Sequence, residues 1–162
     1  MSEAVVRQAI PSDADAVARI YNYYIRESVI TFEETPLEAP DIEARFAKSR
    51  FWLVVEVEGE VRGYAYAAPY HERAAYRHTV EISVYIENGF HGLGLGSRLY
   101  ETVFRELESG DVHVAVAGIA LPNPASEALH ERFGMEKVAH FKEVGRKFGK
   151  WIDVGHWQKY ID

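Results

Sequence analysis

A glycine-dense loop near the middle of the chain, residues 88–96, limits the possible folds more than any other feature of the sequence. The preceding run TVEISVYI, residues 79–86, is rich in β-branched and aromatic residues and predicts a strand. After the loop, apolar residues recur at i, i+4 spacing and predict an amphipathic helix that ends at Gly110: Leu95, Leu99, Val103 and Leu107. A strand, a glycine-rich turn and a helix, followed by another apolar strand, imply at least one parallel strand pair in a mixed sheet.

The rest of the chain predicts further helices and strands of one α/β domain over residues 1–162. Helical spacing of apolar residues predicts helices over residues 17–25, 40–49 and 125–133. Short apolar or alternating runs predict strands over residues 5–10, 51–57, 61–68, 79–86, 112–119, 137–144 and 152–160. Together they give a mixed central sheet of about seven strands flanked by about four helices. Ser12 and Asp15 fit a capping box before the first helix.

Charge, cysteine content and hydropathy exclude several functional classes. The chain has 25 acidic and 18 basic residues, a formal net charge of −7 at pH 7, which disfavours nucleic acids and anionic membranes as partners. The absence of cysteine removes disulfides, thiolate nucleophiles and cysteine-based zinc sites, and the histidines lack metal-ligand spacing, so no metal site is predicted. No apolar run approaches the length of a membrane span or a signal peptide, which predicts a soluble cytoplasmic protein.

Three glycines at alternate positions of the loop point to anion binding. Gly92, Gly94 and Gly96 let the backbone approach a ligand, and the start of the following helix adds free N–H groups that favour phosphate. A tight strand-to-helix turn that requires glycine is the alternative explanation. A dinucleotide-binding fingerprint would need glycine where Ser97 stands, and a Walker A loop would need a Gly-Lys-Ser/Thr ending, which this loop lacks.

Several stretches, in order along most of the chain, carry a family pattern: IYNYYI (20–25), EVEGEVRGYAYAAPY (56–70), RAAYRHTVEISVYI (73–86), GLGLGSRLY (92–100), GIALPNPASEALHERFG (118–134) and GKWIDVGHWQ (149–158). Residues 91–96 follow a Gln/Arg-x-x-Gly-x-Gly/Ala loop, with His91 at the first position. The sequence resembles the GNAT superfamily of N-acetyltransferases, and within it the phosphinothricin and methionine sulfoximine/sulfone N-acetyltransferases. This resemblance is far more specific than the glycine loop alone.

The resemblance implies a GNAT fold, a homodimer, and direct transfer of an acetyl group from acetyl-CoA to the α-amino group of a small amino acid. The strand over residues 79–86 would diverge from its neighbour to admit the pantetheine arm, and a backbone N–H there would polarise the thioester carbonyl. The glycine loop would hold the pyrophosphate. The residues that the resemblance assigns to acetyl-CoA are Val84, Tyr85, Ile86, Leu93, Gly94, Leu95, Gly96, Ser97, Arg98, Asn123 and Ser126.

Glu81 is the candidate general base. Strand alternation places Glu81, Ser83 and Tyr85 on one face, and a carboxylate in so apolar a strand is unusual. From the residues alone, an edge-strand or ion-paired glutamate is the alternative. The resemblance implies that Glu81 removes a proton from the substrate amine through a water molecule, and such base catalysis is typically worth about 10²–10⁴-fold.

His130 is the candidate acid that protonates the leaving thiolate. It lies in the predicted helix after Asn123, where many of these acetyltransferases carry a tyrosine. An unperturbed imidazole pKa near 6.5 would leave about a quarter of the side chain protonated at pH 7. A structural histidine is the alternative. Tyr100 is another phenol near the loop, but its i, i+4 partner Phe104 favours a packing role.

Six residues are assigned to the substrate: Phe32, Arg73, Tyr76, Thr79, Ile82 and Ser83. Arg73 fits the family pattern, and its guanidinium would bind a substrate carboxylate through two hydrogen bonds. Phe32 would cover the substrate side chain or pack on the core as a loop aromatic. Two other functions stay open: acetylation of protein N-termini or polyamines on the same fold, and a non-catalytic acetyl-CoA sensor. The combination of Glu81 and His130 favours an enzyme, because a sensor needs neither.

Overall fold

A computed structural model describes residues 3–162 of the chain and confirms the predicted α/β fold class. The strands are β1 (Ala4–Gln8), β2 (Phe51–Val57), β3 (Glu60–Pro69), β4 (Thr79–Ile86), β5 (Val114–Leu121), β6 (Glu136–Lys147) and β7 (Lys150–Tyr160). The helices are α1 (Ala14–Glu27), α2 (Ala39–Lys48), α3 (Leu95–Glu108) and α4 (Pro124–Arg132). Their order along the chain is the predicted one.

The seven strands form one mixed sheet in the order β1-β2-β3-β4-β5-β7-β6. Neighbouring strands are antiparallel except β4 and β5, which are parallel because α3 connects them. The parallel register covers three residue pairs and ends at Glu81 opposite Val116. Beyond this point β4 continues along β3 to Ile86, while β5 continues along β7 to Leu121. The sheet therefore opens between its two parallel strands.

Helices cover both faces of the sheet. On one face, Ile20 of α1 and Ile42 of α2 pack with Val54 of β2. On the other face, Leu99 of α3 packs with Ile82 of β4, and burying such a side chain stabilises the fold by about 1.5–3 kcal/mol. The longest helices of residues 3–162, α1 and α3, have 14 residues each, and no helix in this range combines the length and apolar character needed to span a bilayer.

The start of α1 differs from the prediction. The carboxylate of Asp13 accepts a hydrogen bond from the backbone N–H of Ile10 at 2.8 Å and two from the Arg7 guanidinium at 2.8 and 2.9 Å. The prediction of a capping box of Ser12 and Asp15 is wrong, because within residues 3–162 no side chain caps this helix. The ion pair between Asp13 and Arg7 of β1 closes the preceding turn instead. The Arg7 hydrogen bonds also hold the pKa of Asp13 below its usual range.

β6 is longer than predicted and contains an irregularity. Its register with β7 shifts between Phe141 and Gly145, and Glu143 has a φ of 53°. An irregularity of this kind breaks the alternation of side chains, so the sequence pattern predicted an end at residue 144. Past it, β6 pairs again with β7 up to Lys147.

Candidate active site

The opening between β4 and β5 forms a narrow cavity of about 50 Å³. Ser83 and Val84 of β4 line it, as do Gly118 of β5 and His130 of α4. Because no strand of the described residues pairs with β4 on this side, the N–H and C=O groups of β4 there are available to a ligand. The divergence of the two parallel strands, which the resemblance implied, is present.

A larger groove of about 400 Å³ shares a wall with this cavity and reaches the glycine loop. Gly92 and Gly94 have φ values of 78° and 76°, in the left-handed region, and the loop runs directly into the first N–H groups of α3. The arrangement is a helix start open to an anion. The structure brings nine of the residues assigned to acetyl-CoA to this groove: Val84, Tyr85, Ile86, Gly94, Leu95, Gly96, Ser97, Asn123 and Ser126.

Arg132 lines the groove beside the glycine loop, whereas the side chain of Arg98, one of the residues assigned to acetyl-CoA, does not. The Arg98 guanidinium donates to the backbone carbonyl of Ala4 at 2.8 Å, so it is held at β1 and does not line the groove. Arg132 lines the groove instead and donates to the Ser97 hydroxyl at 2.7 Å. Helical spacing carries a signal for it, since Arg132 follows the groove residue Leu129 by three positions on α4.

Leu93, also assigned to acetyl-CoA, has its side chain 61 % exposed and outside the lining of the groove. His91 does line the groove, and its Nε2 lies 2.9 Å from the Tyr24 hydroxyl. Tyr24 donates its single proton to the Ile86 carbonyl, so Nε2 of His91 is the donor in the second bond. This chain of bonds ties the glycine loop to β4 through α1, a contact that no local sequence pattern encodes.

Glu81 occupies the end of the parallel register on a central strand, and within residues 3–162 its carboxylate forms no ion pair or hydrogen bond. Neither an edge strand nor an ion pair therefore explains it. The residue is exposed, yet the surrounding sheet surface removes part of the water around the carboxylate, and this desolvation raises the pKa of Glu81, while His156 lowers it in part. A raised pKa makes Glu81 a stronger base than an ordinary carboxylate. In the described part of the chain no cluster of three acidic or histidine side chains is arranged to hold a metal ion.

His130 is only 3 % exposed, and both of its ring nitrogens are engaged. Nδ1 donates to the Ser126 carbonyl at 2.7 Å, and Nε2 accepts from the Tyr100 hydroxyl at 2.8 Å, which fixes a neutral tautomer. Burial lowers the pKa of His130, although the bond to Ser126 offsets this in part. The expected quarter of imidazolium at pH 7 is therefore too high, because that figure assumed an exposed ring.

Arg73 and Thr79 line a second concavity, of about 570 Å³, at the start of β4. Thr79 precedes Glu81 by two residues on the same face of the strand, so this concavity adjoins the acceptor side of the site. Arg50, which also lines it, pairs with Asp111, whereas Arg73 forms no ion pair within residues 3–162. The guanidinium of Arg73 is available to an anionic ligand.

The other predicted substrate residues divide between the two cavities. The Tyr76 ring lies 5.5 Å from that of Tyr70 beside the second concavity. The Ile82 side chain is buried in the core, so only its backbone can face the first cavity. The Ser83 hydroxyl hydrogen bonds the phenol of Tyr66 on β3, a residue that sequence analysis did not identify.

The segment between α1 and α2 forms another wall of the site. Ile30 lines both the groove and the cavity. The Phe32 ring rests on Gly145 of β6, where an added Cβ would lie 2.4 Å from the ring, and the side chain stays 41 % exposed. Buried Lys147 anchors the segment by donating to the Thr31 carbonyl at 2.8 Å. Phe32 therefore packs on β6 and not inside the core.

The shape of the site fits an acyl-CoA. The thioester and its long arm fit the cavity between β4 and β5 and the groove that continues it, and the phosphates fit the start of α3 where the groove ends. The fold and the site together define the class of CoA-dependent acyltransferases. Comparison with known families agrees, since the acetyltransferase (GNAT) family matches residues 17–135. The chain belongs to this family and is an acyltransferase, as the sequence resemblance predicted.

Individual relatives match over nearly the whole chain. The phosphinothricin N-acetyltransferase of Streptomyces coelicolor is 39% identical over 98% of this chain and 96% of its own length. The L-methionine sulfoximine/L-methionine sulfone acetyltransferase of Pseudomonas aeruginosa is 33% identical over 98% of this chain and 95% of its own. The structure of a phosphinothricin acetyltransferase from Sinorhizobium meliloti in complex with acetyl-CoA has a TM-score of 0.94 and 32% identity, covering 99% of this chain and 89% of its own. The resemblance to this subgroup is confirmed.

Proposed function

We propose that the chain transfers the acetyl group of acetyl-CoA to the α-amino group of a small amino acid or analogue, of the phosphinothricin, methionine sulfoximine or methionine sulfone type. The observation that carries the proposal is Glu81, a carboxylate of raised pKa beside the opening between β4 and β5 that has no ion-pair or hydrogen-bond partner within residues 3–162. A sensor of acetyl-CoA would have no use for such a group. The names of the relatives support amino acids as acceptors.

Acetyl-CoA is the acyl donor, and three parts of the site would hold it. The free backbone of β4 at Val84 and Ile86 would bond the pantetheine, since the Ile86 carbonyl keeps one lone pair beside the one that Tyr24 uses. The start of α3 would bind the pyrophosphate, and Arg132 would add a positive charge beside Ser97. The absence of cysteine suits the reducing cytoplasm, which we propose as the location.

Glu81 would remove the proton that prevents the amine from reacting. An α-amino group with a pKa of about 7.7–8.0 is roughly one-tenth neutral at pH 7, so the base has a modest task. Once neutral, the nitrogen attacks the thioester carbonyl, the C–N bond forms and the C–S bond breaks. The backbone N–H groups freed on β4 would stabilise the negative charge that develops on the carbonyl oxygen.

His130 is the group we propose as the source of the proton for the leaving thiolate, because it is titratable and lines the cavity. Its lowered pKa makes the imidazolium a scarcer acid but a stronger one. The bond from Tyr100 holds the ring in place and could return a proton to Nε2. Ser126, on the preceding turn of α4, fixes the tautomer.

Arg73→Ala is expected to raise the KM for amino-acid substrates about tenfold to 150-fold, because hydrogen bonds to a charged group contribute about 1.5–3 kcal/mol. The KM for acetyl-CoA should stay within about twofold, since Arg73 lies outside the acetyl-CoA groove. Steady-state kinetics against each substrate measure both constants. Arg105→Ala, which removes an exposed charge from α3, is the matched control. If the two KM values rise together, or if neither rises, Arg73 is not part of the substrate site.

The function is tested by following thiol release from acetyl-CoA with a panel of free amino acids, amino-acid sulfoximines and sulfones, polyamines and N-terminal peptides. The proposal expects kcat/KM to be highest for a free amino acid or analogue that carries both an α-amino and a carboxylate group. A higher kcat/KM for peptides or polyamines would show that those compounds are the acceptors instead. Binding of acetyl-CoA without turnover of any amine would identify a sensor.

We also propose that the chain forms a homodimer through the outer edge of its sheet. β6 is an edge strand, and the β6–β7 hairpin exposes large apolar side chains: Val138, Phe141, Val144, Phe148, Trp151 and Tyr160. Trp151→Glu is expected to convert the dimer to a monomer in sedimentation velocity at micromolar concentration, because it places a charge in an apolar contact. Val5→Glu changes another exposed apolar residue, on β1, and should leave the dimer intact. A monomeric wild-type chain contradicts the proposal.

A further inference from the structure

The histidines of the chain differ in whether they form hydrogen bonds. Of the seven, six form hydrogen bonds within residues 3–162, and His156 of β7 forms none, although its ring is half-buried. The Glu81 carboxylate likewise forms no hydrogen bond or ion pair within residues 3–162. Buried polar groups normally find partners, so a half-buried imidazole without one points to a task other than packing.

The strand register places His156 and Glu81 on the same face of the sheet. Glu81 pairs with Val116 of β5, and Val116 pairs in turn with Gln158 of β7. One step along the same face, Gly118 of β5 pairs with His156. Side chains two residues apart on a strand share a face, so all these positions face the acceptor side together with Glu81.

The imidazole of His156 packs over Gly118 of β5. An added Cβ at Gly118 would lie 3.5 Å from Cε1 and 3.6 Å from Nδ1 of His156, so the imidazole lies across β5 at the place where this strand has no side chain. The Phe141 ring also packs edge-on against the imidazole, with the ring centroids 5.3 Å apart. Trp157, the next residue, is fully buried on the opposite face and fixes the orientation of β7 here.

His156 is close enough to Glu81 to influence its charge. Its positive form lowers the pKa of Glu81, opposing the effect of desolvation. From β3, the phenol of Tyr66 also faces the carboxylate, but it is bonded to Ser83 and has a raised pKa, so it stays neutral near pH 7. His156 is thus the neighbour of Glu81 whose imidazole offers a ring nitrogen as a proton acceptor.

We propose that His156 is a proton-relay residue, which accepts the proton that Glu81 removes from the substrate ammonium and passes it to solvent. The inference rests on the proposed function. The substrate R–NH₃⁺ gives one proton to the Glu81 carboxylate. The carboxylate passes it through a water molecule to the His156 imidazole, and the half-exposed ring releases it to solvent. The nitrogen loses its second proton as the C–N bond forms, and the thiolate takes up one. One proton per turnover therefore leaves the site, and the relay carries it.

Kinetics of two variants of His156 test the relay. His156→Ala is expected to lower kcat/KM at pH 7 about tenfold or more, and millimolar imidazole in the assay should restore part of it, because free imidazole can occupy the space and carry the proton. His156→Phe should show the same loss without rescue, since its ring fills that space. His140→Ala, which removes an exposed histidine of β6, should match the wild type with and without imidazole. Full activity of His156→Ala, or a loss that imidazole does not reverse, overturns the relay.

A second measurement needs no substrate and separates this inference from the proposed function. In protein labelled with ¹³C at glutamate carboxyl carbons, the pKa of Glu81 is expected to rise in His156→Phe, because the charge that lowers it is gone while the desolvation stays. An unchanged pKa overturns the relay even in an active enzyme. If the wild-type chain acetylates no amine, the proposed function is wrong. The relay is then wrong too, even if the pKa of Glu81 is higher in His156→Phe than in the wild type.

Discussion

Replacing Glu81 by glutamine is expected to lower kcat/KM for amino-acid acetylation by about 10²–10⁴-fold at pH 7. Glutamine keeps the size of the side chain but cannot accept the substrate proton. The defect should shrink as pH rises through about 8, because the free amine then arrives already deprotonated. The measurement is kcat/KM from pH 6 to pH 9.5, with folding checked at each pH by circular dichroism.

The wild-type pH profile follows from the same group. As pH falls through the raised pKa of Glu81, the carboxylate is protonated and can no longer act as a base, so activity decreases on the acid side. The effect on stability has the opposite sign. Because the pKa of Glu81 is raised in the folded state, ionising Glu81 lowers the free energy of unfolding. This loss of stability develops as pH rises through the raised pKa. Glu81→Gln should therefore not lower the Tm at pH 7.

Glu101→Gln, on the exposed side of α3, is the matched control and should change neither activity nor Tm. Two outcomes would exclude the base role of Glu81. A lower Tm with normal activity per folded molecule would indicate a structural glutamate. A deficit of equal size at every pH would indicate a residue that orients the substrate without taking its proton.

The parts of the fold that follow from the sequence are those where one local pattern decides. In β4 the alternation of residues separates Ile82, buried against α3, from Glu81 on the other face, and the structure has the same arrangement. The four-residue spacing of Leu99 and its neighbours fixes the buried face of α3 in the same way. Prediction succeeds for long periodic segments because tertiary contacts reinforce the local preference for helix or strand.

Contacts between distant segments decide which polar side chains lie at the site. Arg98 binds the Ala4 carbonyl, 94 residues earlier in the chain, and so leaves the groove to Arg132. Lys147 anchors Thr31 across 116 residues. Hydrogen bonds of this kind depend on the packed positions of whole strands and helices. No window of the sequence contains both partners, so local patterns cannot predict which polar group is free to bind a ligand.

Gly94→Val is expected to weaken acetyl-CoA binding about tenfold to 150-fold, the equivalent of one lost hydrogen bond to a charged group at about 1.5–3 kcal/mol. Gly94 immediately precedes α3 with a φ of 76° and lines the groove, and nothing lies within 4 Å of the position of an added Cβ. A valine side chain therefore extends into open space beside the groove, where the proposed function places the pyrophosphate. Isothermal titration calorimetry with acetyl-CoA measures the Kd without any acceptor.

Backbone strain must be separated from loss of the binding surface, because an L-residue in the left-handed region costs about 1–2 kcal/mol wherever it occurs. Gly59→Val supplies the control: Gly59 has a φ of 79° in the β2–β3 turn, with the same open space around an added Cβ and no part in the groove. Both variants should lose similar stability in thermal melts, since the strain is the same. Only Gly94→Val should raise the Kd. If a folded Gly94→Val protein binds acetyl-CoA with wild-type affinity, the pyrophosphate does not bind at the start of α3. If both variants lose affinity equally, the loss comes from destabilisation alone.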